Sequence, residues 1–242
     1  MKVSVIIPAA GESRRYGGKT KKVFDRLNGR PVFIRSVELF VNRDDVCQTL
    51  LVVAEDDMDD LRLHHEGSLG FMGVQVVLGG ADRTASVRNA LAKVSDQADL
   101  ICVHDAARPC VSPLWIDEVF AAAAKTGAAI LACPLHGTLK RVAPDGKTIL
   151  ETVPRDALWE AQTPQVFRRD ILLAAYENAS GPATDDAALV EATGTPVTIV
   201  PCDARNVKIT TPRDMAFAAA VVDALPKPKP VRPAGPFDEA RW

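Results

Sequence analysis

The 242-residue chain has no Cys-x-x-Cys pair and no even set of cysteines: Cys47, Cys102, Cys110, Cys133 and Cys202 are odd in number and scattered. This speaks against a disulfide framework and against a zinc site, and reduced, buried thiols are expected instead. Long apolar runs are also missing. Val3 to Ile7 is too short for a signal-peptide core and stops at Pro8, and no other segment approaches membrane-spanning length. No membrane partner is expected, and the cytoplasm is the expected compartment. A marked excess of either charge is missing too, since 29 Lys and Arg against 31 Asp and Glu leave a formal net charge of -2. Bulk attraction to nucleic acid or to an anionic membrane is therefore excluded, and any cationic function must be local.

What is present is ordinary for a soluble globular protein, 47% hydrophobic and 25% charged, and long enough to bury a substantial core in one domain. Short β-branched runs recur at Val3 to Ile7, Leu50 to Ala54, Val74 to Leu78, Leu100 to Val103, Ala128 to Cys133 and Val197 to Val200. Between them Pro31 to Val41, Asp56 to His65, Thr84 to Lys93 and Pro113 to Lys125 carry helical spacing. This alternation predicts an α/β fold, a Rossmann-like, mostly parallel sheet with helices on both faces, whose ligands sit beyond the carboxyl ends of the strands. Thr138 to Val142 and Thr148 to Val153 flank Pro144-Asp145-Gly146 and break the alternation. They predict a protruding β-hairpin arm, about residues 137–155, suited to packing on a second subunit because a lone hairpin is marginal. One domain over residues 1–225 is expected. After the helix-like Pro212 to Leu225, the Pro-rich tail 226–242 is expected to be extended and largely unstructured.

Three predicted loops carry chemistry. Ile6-Ile7-Pro8-Ala9-Ala10-Gly11-Glu12-Ser13-Arg14-Arg15 joins an apolar strand to a turn of small residues that ends in cations. Little bulk at Ala9, Ala10 and Gly11 lets backbone N–H groups approach a base or phosphates, and Arg15, followed by Lys19, Lys21 and Lys22, supplies charge for an anionic ligand. Gly79-Gly80 can close around a planar base, with Arg83 and Ser86 as donors; equally, Asp82 or Thr84 caps a helix and Arg83 faces water. Asp105 ends a buried strand, where a carboxylate is costly unless it meets a cation. Magnesium is the natural partner, and an Asp105–Arg108 ion pair within the turn is the alternative. His104 reads as a structural hydrogen-bonder. Thr138, Lys140 and Arg141 on the arm, Arg155 just after it, and Lys208 at what reads as another strand end form a second polar set. Thr184-Asp185-Asp186 suits a helix cap and a substrate hydroxyl.

Together these motifs resemble the 2-C-methyl-D-erythritol 4-phosphate cytidylyltransferase family of isoprenoid-precursor biosynthesis, from Val3 to about Leu225. The carriers are Pro8-Ala9-Ala10-Gly11 with Arg14-Arg15, Gly79-Gly80 with Arg83 and Ser86-Val87, and Val103-His104-Asp105-Ala106-Ala107-Arg108-Pro109. Thr138 with Lys140-Arg141, Thr152 with Arg155, Thr163-Pro164-Gln165-Val166-Phe167, Thr184-Asp185 and Lys208 complete the set. The resemblance implies a nucleotidyltransferase-type fold and transfer of a cytidylyl group from CTP to 2-C-methyl-D-erythritol 4-phosphate with release of pyrophosphate. It implies that Ala9, Ala10, Gly11, Gly80 and Ser86 hold cytosine and ribose, and that Arg15, Lys22 and Lys208 hold the triphosphate and act as the catalytic cations. Asp105 would face magnesium. Arg108, Thr138, Arg155, Thr163 and Thr184 would form the acceptor site, Thr138 and Arg155 coming from the partner of a homodimer.

The chain departs from the family pattern at three places. Lys21-Lys22-Val23 stands where Pro-Lys-Gln is usual, and Lys22 is taken as the catalytic lysine. Ala81 and Arg205 stand where acidic residues are common, which removes a polar contact to the base and a second metal contact. Rival readings are a ribitol 5-phosphate cytidylyltransferase, a non-catalytic nucleotide sensor and a P-loop NTPase. The last fails at Ser13, where the first loop glycine belongs, and at Gly29 to Pro31, which cut short the required helix. No Gly-x-Gly-x-x-Gly follows a predicted strand, so a dinucleotide fold is the weakest rival.

Overall fold

The computed structural model describes residues 1–13, 16–17 and 21–227. Expectations about Arg14, Arg15, Lys19 and the tail beyond Lys227 fall outside the described residues. In chain order the elements are β1 (Val3–Pro8), the short pair β2 (Arg26–Leu27) and β3 (Arg30–Pro31), α1 (Val32–Glu38), β4 (Val46–Val53), α2 (Met58–Phe71), β5 (Val74–Leu78), α3 (Arg83–Leu91), β6 (Leu100–Val103) and α4 (Pro113–Thr126). They continue with β7 (Ala128–Pro134), β8 (Leu139–Val142), β9 (Ile149–Val153), β10 (Trp159–Arg168), α5 (Arg169–Glu177), α6 (Asp186–Glu191), β11 (Thr198–Pro201) and α7 (Pro212–Val221).

A seven-stranded sheet runs in the order β11-β7-β10-β6-β1-β4-β5. All neighbours are parallel except β10, which is antiparallel to both β6 and β7. Alternate side chains of a strand point to opposite faces, and the two cores follow that period. Val5, Ile7, Leu51 and Val53 pack with Phe33, Val37 and Phe40 from α1 and its C-terminal turn and with Ile116 and Val119 of α4. Ile6, Leu50 and Val52 pack on the other face with Val87 of α3, Leu172 and Tyr176 of α5 and Val190 of α6. Helices thus cover both faces, as the alternation predicted.

Local signals explain the boundaries. Ser112 caps α4 by accepting from Leu114 N at 3.2 Å, Pro113 occupies its first turn, and Gly127 at φ 90° ends it. Thr211 and Asp214 form a capping box at α7. The predicted hairpin is β8–β9, paired from Leu139↔Val153 to Val142↔Ile149.

Several expectations need correction. β4 begins at Val46, ahead of the predicted Leu50, and α2 extends to Phe71 where His65 was expected. Lys208 lies in the loop between β11 and α7 and does not end a strand. The strand β10 and the helix α5 were not foreseen, and of α6 only the helix cap at Thr184-Asp185-Asp186 was. No helix among the described residues is long and apolar enough to cross a membrane.

Candidate active site

The carboxyl ends of β1, β5 and β6 open into two adjoining clefts. One is lined by Pro8, Ala9, Ala10, Gly11, Lys22, Val23, Arg83, Ser86, Asp105, Ala107 and Lys208. The other, about 420 Å³, shares Ala10, Gly11 and Lys22 and adds Gly80, Ala81 and Asp82. Three loops distant in sequence therefore meet at one rim of the sheet.

The Gly79-Gly80 turn reaches the first loop at very close range. A Cβ on Gly79 would stand 2.8 Å from Ala10 Cβ, and one on Gly80 would stand 2.5 Å from Ala85 Cβ. Only glycine fits there. The turn is fixed by Gly79 N–H donating to Val53 O at 2.8 Å and Gly80 N–H donating to Ser86 Oγ at 3.0 Å. Asp82 does cap α3, accepting from Ala85 N at 2.7 Å. Arg83, however, does not face water.

Asp105 is 7% exposed, and its carboxylate meets two cations. Lys208 Nζ donates to Oδ2 at 2.5 Å, and Arg83 Nε donates to Oδ1 at 3.3 Å. Burial works to raise the Asp105 carboxyl, but Arg83 and Lys208, helped by Arg108, more than offset it and hold the group well below the usual carboxylate range. The Asp105–Arg108 ion pair is not formed. The Arg108 guanidinium donates to Asn206 O at 2.6 Å and lies 3.8 Å from Glu160 Oε1, while its backbone N–H donates to Asp105 O. Burial lowers the Arg108 pKa.

Lys208 is placed by its neighbour Ile209, which is buried with Tyr16, Leu27 and Cys110 and whose N–H donates to Ala107 O at 2.8 Å. The two adjacent lysines behave differently. Lys21 Nζ pairs with Asp57 Oδ2 at 2.7 Å, away from the clefts, whereas Lys22 lines both.

The register of β10 slips between Ala161 and Gln165, and this bulge carries Thr163 to the end of β6. Thr163 Oγ1 accepts from Asp105 N at 3.1 Å and lies 3.2 Å from His104 Nδ1, while His104 Nε2 lies 2.9 Å from Arg108 O. A carbonyl can only accept, so Nε2 carries the proton and Nδ1 accepts from the Thr163 hydroxyl. Burial pushes His104 down to about 4, consistent with this neutral form, and both ring nitrogens are occupied by structure.

Of the residues expected from sequence, Ala9, Ala10, Gly11, Lys22, Gly80, Ser86, Asp105 and Lys208 line the clefts, and Arg108 and Thr163 are buried beside Asp105. Thr138 and Arg155 are exposed at the base of the hairpin, where Arg155 donates to His136 O. Thr184 is exposed ahead of α6, and the cap there is Asp185, which accepts from Ala188 N at 3.0 Å. Sequence reasoning placed Asp186 only in a helix cap or at a substrate hydroxyl and missed that it holds the far side of Arg83 together with Tyr176; it also missed Asn206, whose Nδ2 donates to Thr163 O at 3.0 Å. The one available signal was the doubled Asp185-Asp186, where a cap needs a single carboxylate.

Comparison with known proteins gives a consistent result. A family model described as IspD, 2-C-methyl-D-erythritol 4-phosphate cytidylyltransferase, matches residues 3–224. A protein of that name from Rhodopirellula baltica is 42% identical, with 91% of this chain and 95% of the relative covered. One from Frankia casuarinae is 41% identical, covering 91% and 81%. The crystal structure of the protein of that name from Thermus thermophilus is 35% identical with a TM-score of 0.76, covering 92% of this chain and 100% of that one. That of Francisella tularensis is 30% identical with a TM-score of 0.75, covering 90% and 98%. By sequence and by fold, the chain belongs to the 2-C-methyl-D-erythritol 4-phosphate cytidylyltransferase family.

Proposed function

We propose that the clefts around Asp105 carry the reaction of this family, with roles divided by loop. The enzyme transfers a cytidylyl group from CTP to 2-C-methyl-D-erythritol 4-phosphate, giving 4-diphosphocytidyl-2-C-methyl-D-erythritol and pyrophosphate, in non-mevalonate isoprenoid precursor biosynthesis. Ala9, Ala10, Gly11, Gly80 and Ser86 receive cytosine and ribose. Arg15, Lys22 and Lys208 grip the triphosphate. Arg108, Thr138, Arg155, Thr163 and Thr184 serve the acceptor. The observation that carries this reading is the convergence of Lys208 and Arg83 on one buried carboxylate, Asp105, in a cleft that Lys22 also lines, beside a turn that only glycine can make.

The chemistry follows from charge. A phosphate monoester has its second pKa near 6, so the nucleophilic oxygen is already largely dianionic at neutral pH and needs no general base. Repulsion is the obstacle. Two unit charges about 5 Å apart at an effective dielectric of about 20 repel by roughly 3 kcal/mol, and several such pairs arise as the polyanions meet. Arg15, Lys22 and Lys208 offset this cost and stabilise charge building on the α- and β-phosphate oxygens as phosphorus is displaced in line.

Magnesium fits as an ion carried largely by the triphosphate. Among the described residues no three His, Cys, Asp or Glu side chains gather to hold a metal, and the Asp105 carboxylate would complete a shell supplied by phosphate oxygens and water. Once bound, the ion neutralises phosphate charge.

One catalytic domain over residues 1–225, with an arm at about 137–155, is part of the same proposal. Val142, Ile149 and Leu150 on the arm are exposed, which supports a homodimer in which each arm lends Thr138 and Arg155 to the partner's cleft. Five unpaired thiols support a reducing, cytoplasmic setting.

The test is pyrophosphate release with each nucleoside triphosphate and 2-C-methyl-D-erythritol 4-phosphate, with and without magnesium. CTP with magnesium is expected to turn over alone. Preference for ribitol 5-phosphate as acceptor would move the chain to the rival cytidylyltransferase, and normal turnover by Arg15→Ala would remove the assignment of the triphosphate site.

A further inference from the structure

Asp186 has no part in the roles assigned above, yet it is fully buried and both of its oxygens are taken. Tyr176 Oη donates to Oδ1 at 2.5 Å, and Arg83 Nη2 donates to Oδ2 at 2.7 Å. A carboxylate is kept in such a place only when it is fully paired. Its own position is held from the backbone, because the N–H groups of Asp186 and Ala187 both donate to Gln165 Oε1, at 3.1 and 2.9 Å. Gln165 in turn donates to Asp185 Oδ2 at 2.8 Å.

Arg83 therefore divides one guanidinium between two carboxylates. The shorter contact, 2.7 Å, is to Asp186 beneath the cleft, and the longer, 3.3 Å, is to Asp105 within it. An arginine left to a single carboxylate prefers the two-pronged arrangement, with two parallel N–H donors on two oxygens. Such a clasp on Asp105 would occupy both of its oxygens.

We propose that Asp186 is a positioning residue for the reaction: it anchors Arg83 by the Nη2 edge, so that Arg83 touches Asp105 through Nε alone and the carboxylate stays able to exchange Lys208 for a divalent cation. The inference rests on the proposed role of Asp105. Removing the anchor turns the fork of Arg83 onto Asp105, and an incoming ion then has to displace a buried, bidentate cation.

The experiment uses the full chain and two readouts. Turnover is followed by pyrophosphate release across magnesium concentrations, and CTP binding is followed by calorimetry without acceptor, with and without magnesium. In Asp186→Asn the magnesium concentration for half-maximal turnover is expected to rise about tenfold or more. The factor by which magnesium tightens CTP binding is expected to fall similarly, while KM for the acceptor stays within about twofold. In an Arg83→Gln background, Asp186→Asn is expected to add nothing, because its effect passes through Arg83. A folded Asp186→Asn with the parent magnesium midpoint, or losses that add in the double variant, overturns the inference. Should Asp186→Asn not fold, the double variant is compared with Arg83→Gln alone, and any further shift in the midpoint overturns it. Asp105→Asn separates the two levels. A parent-like magnesium response there defeats the reading of Asp105, whereas a lost response beside an unmoved midpoint in Asp186→Asn defeats the anchoring alone.

Discussion

Lys208 Nζ sits 2.5 Å from Asp105 Oδ2, joining the loop before α7 to the end of β6. On the proposed reading, phosphate oxygens and a divalent cation would compete for the same two groups, and the pair would set how charge is exchanged when the substrates enter. Lys208→Ala is expected to lower turnover about a hundredfold or more while the fold persists. Pyrophosphate release, with near-ultraviolet circular dichroism as the control for folding, checks this. Activity within about threefold of the parent would take Lys208 out of the mechanism.

Adjacent lysines should separate cleanly. Lys22→Ala is expected to cost a hundredfold or more in turnover, because Lys22 lines both clefts. Lys21→Ala loses a partly exposed pair with Asp57 and is expected to change stability by less than about 1 kcal/mol and turnover by less than about threefold. Steady-state kinetics on both variants decides between them, and the reverse ranking would reassign the catalytic lysine.

Gly80→Ala tests the close approach of the second loop. The new Cβ would lie 2.5 Å from Ala85 Cβ and 3.0 Å from Ala85 C, so either the turn or the start of α3 must move. A destabilisation of about 1–3 kcal/mol is expected from the overlap, with KM for CTP raised about tenfold and KM for the acceptor nearly unchanged. Equal increases in both constants would place the turn elsewhere in the reaction.

Acid should weaken the fold through His104. Burial lowers its folded pKa to about 4 from the ordinary 6.5, so between those values the unfolded chain takes a proton that the native protein refuses. This contribution is complete above pH 6.5 and is lost as pH falls toward 4, by about 3 kcal/mol in all. Urea denaturation across that window measures it. His104→Gln is expected to flatten the slope, and a parent-like slope in the variant would assign the effect to another group.

Much of the parallel half of the fold was legible because its strands leave continuous β-branched runs. β6, buried throughout, and β5, a largely exposed edge strand, both lie where their runs do, and Pro113 and Ser112 mark α4. β10 was hidden for a physical reason. Its middle carries Gln162, Thr163, Pro164 and Gln165, polar or ring-constrained residues that interrupt the period of two because the strand bulges there. The six-residue α6 is too short to show a helical period. The cleft residues that a local motif could reveal were found. Arg83 was seen only as a donor, since its tie to Asp186 spans 103 positions and no local pattern records such a pair.

One ten-residue strand, β10, starts just past the arm at Trp159 and passes Asp105 at Thr163 before ending under α5. Its bulge links the strand that leaves the arm to the backbone of Asp105, whose N–H donates to the Thr163 hydroxyl. In the proposed homodimer, an arm seated against another subunit would therefore reach the proposed phosphate-binding rim along β10 as well as through the residues it lends.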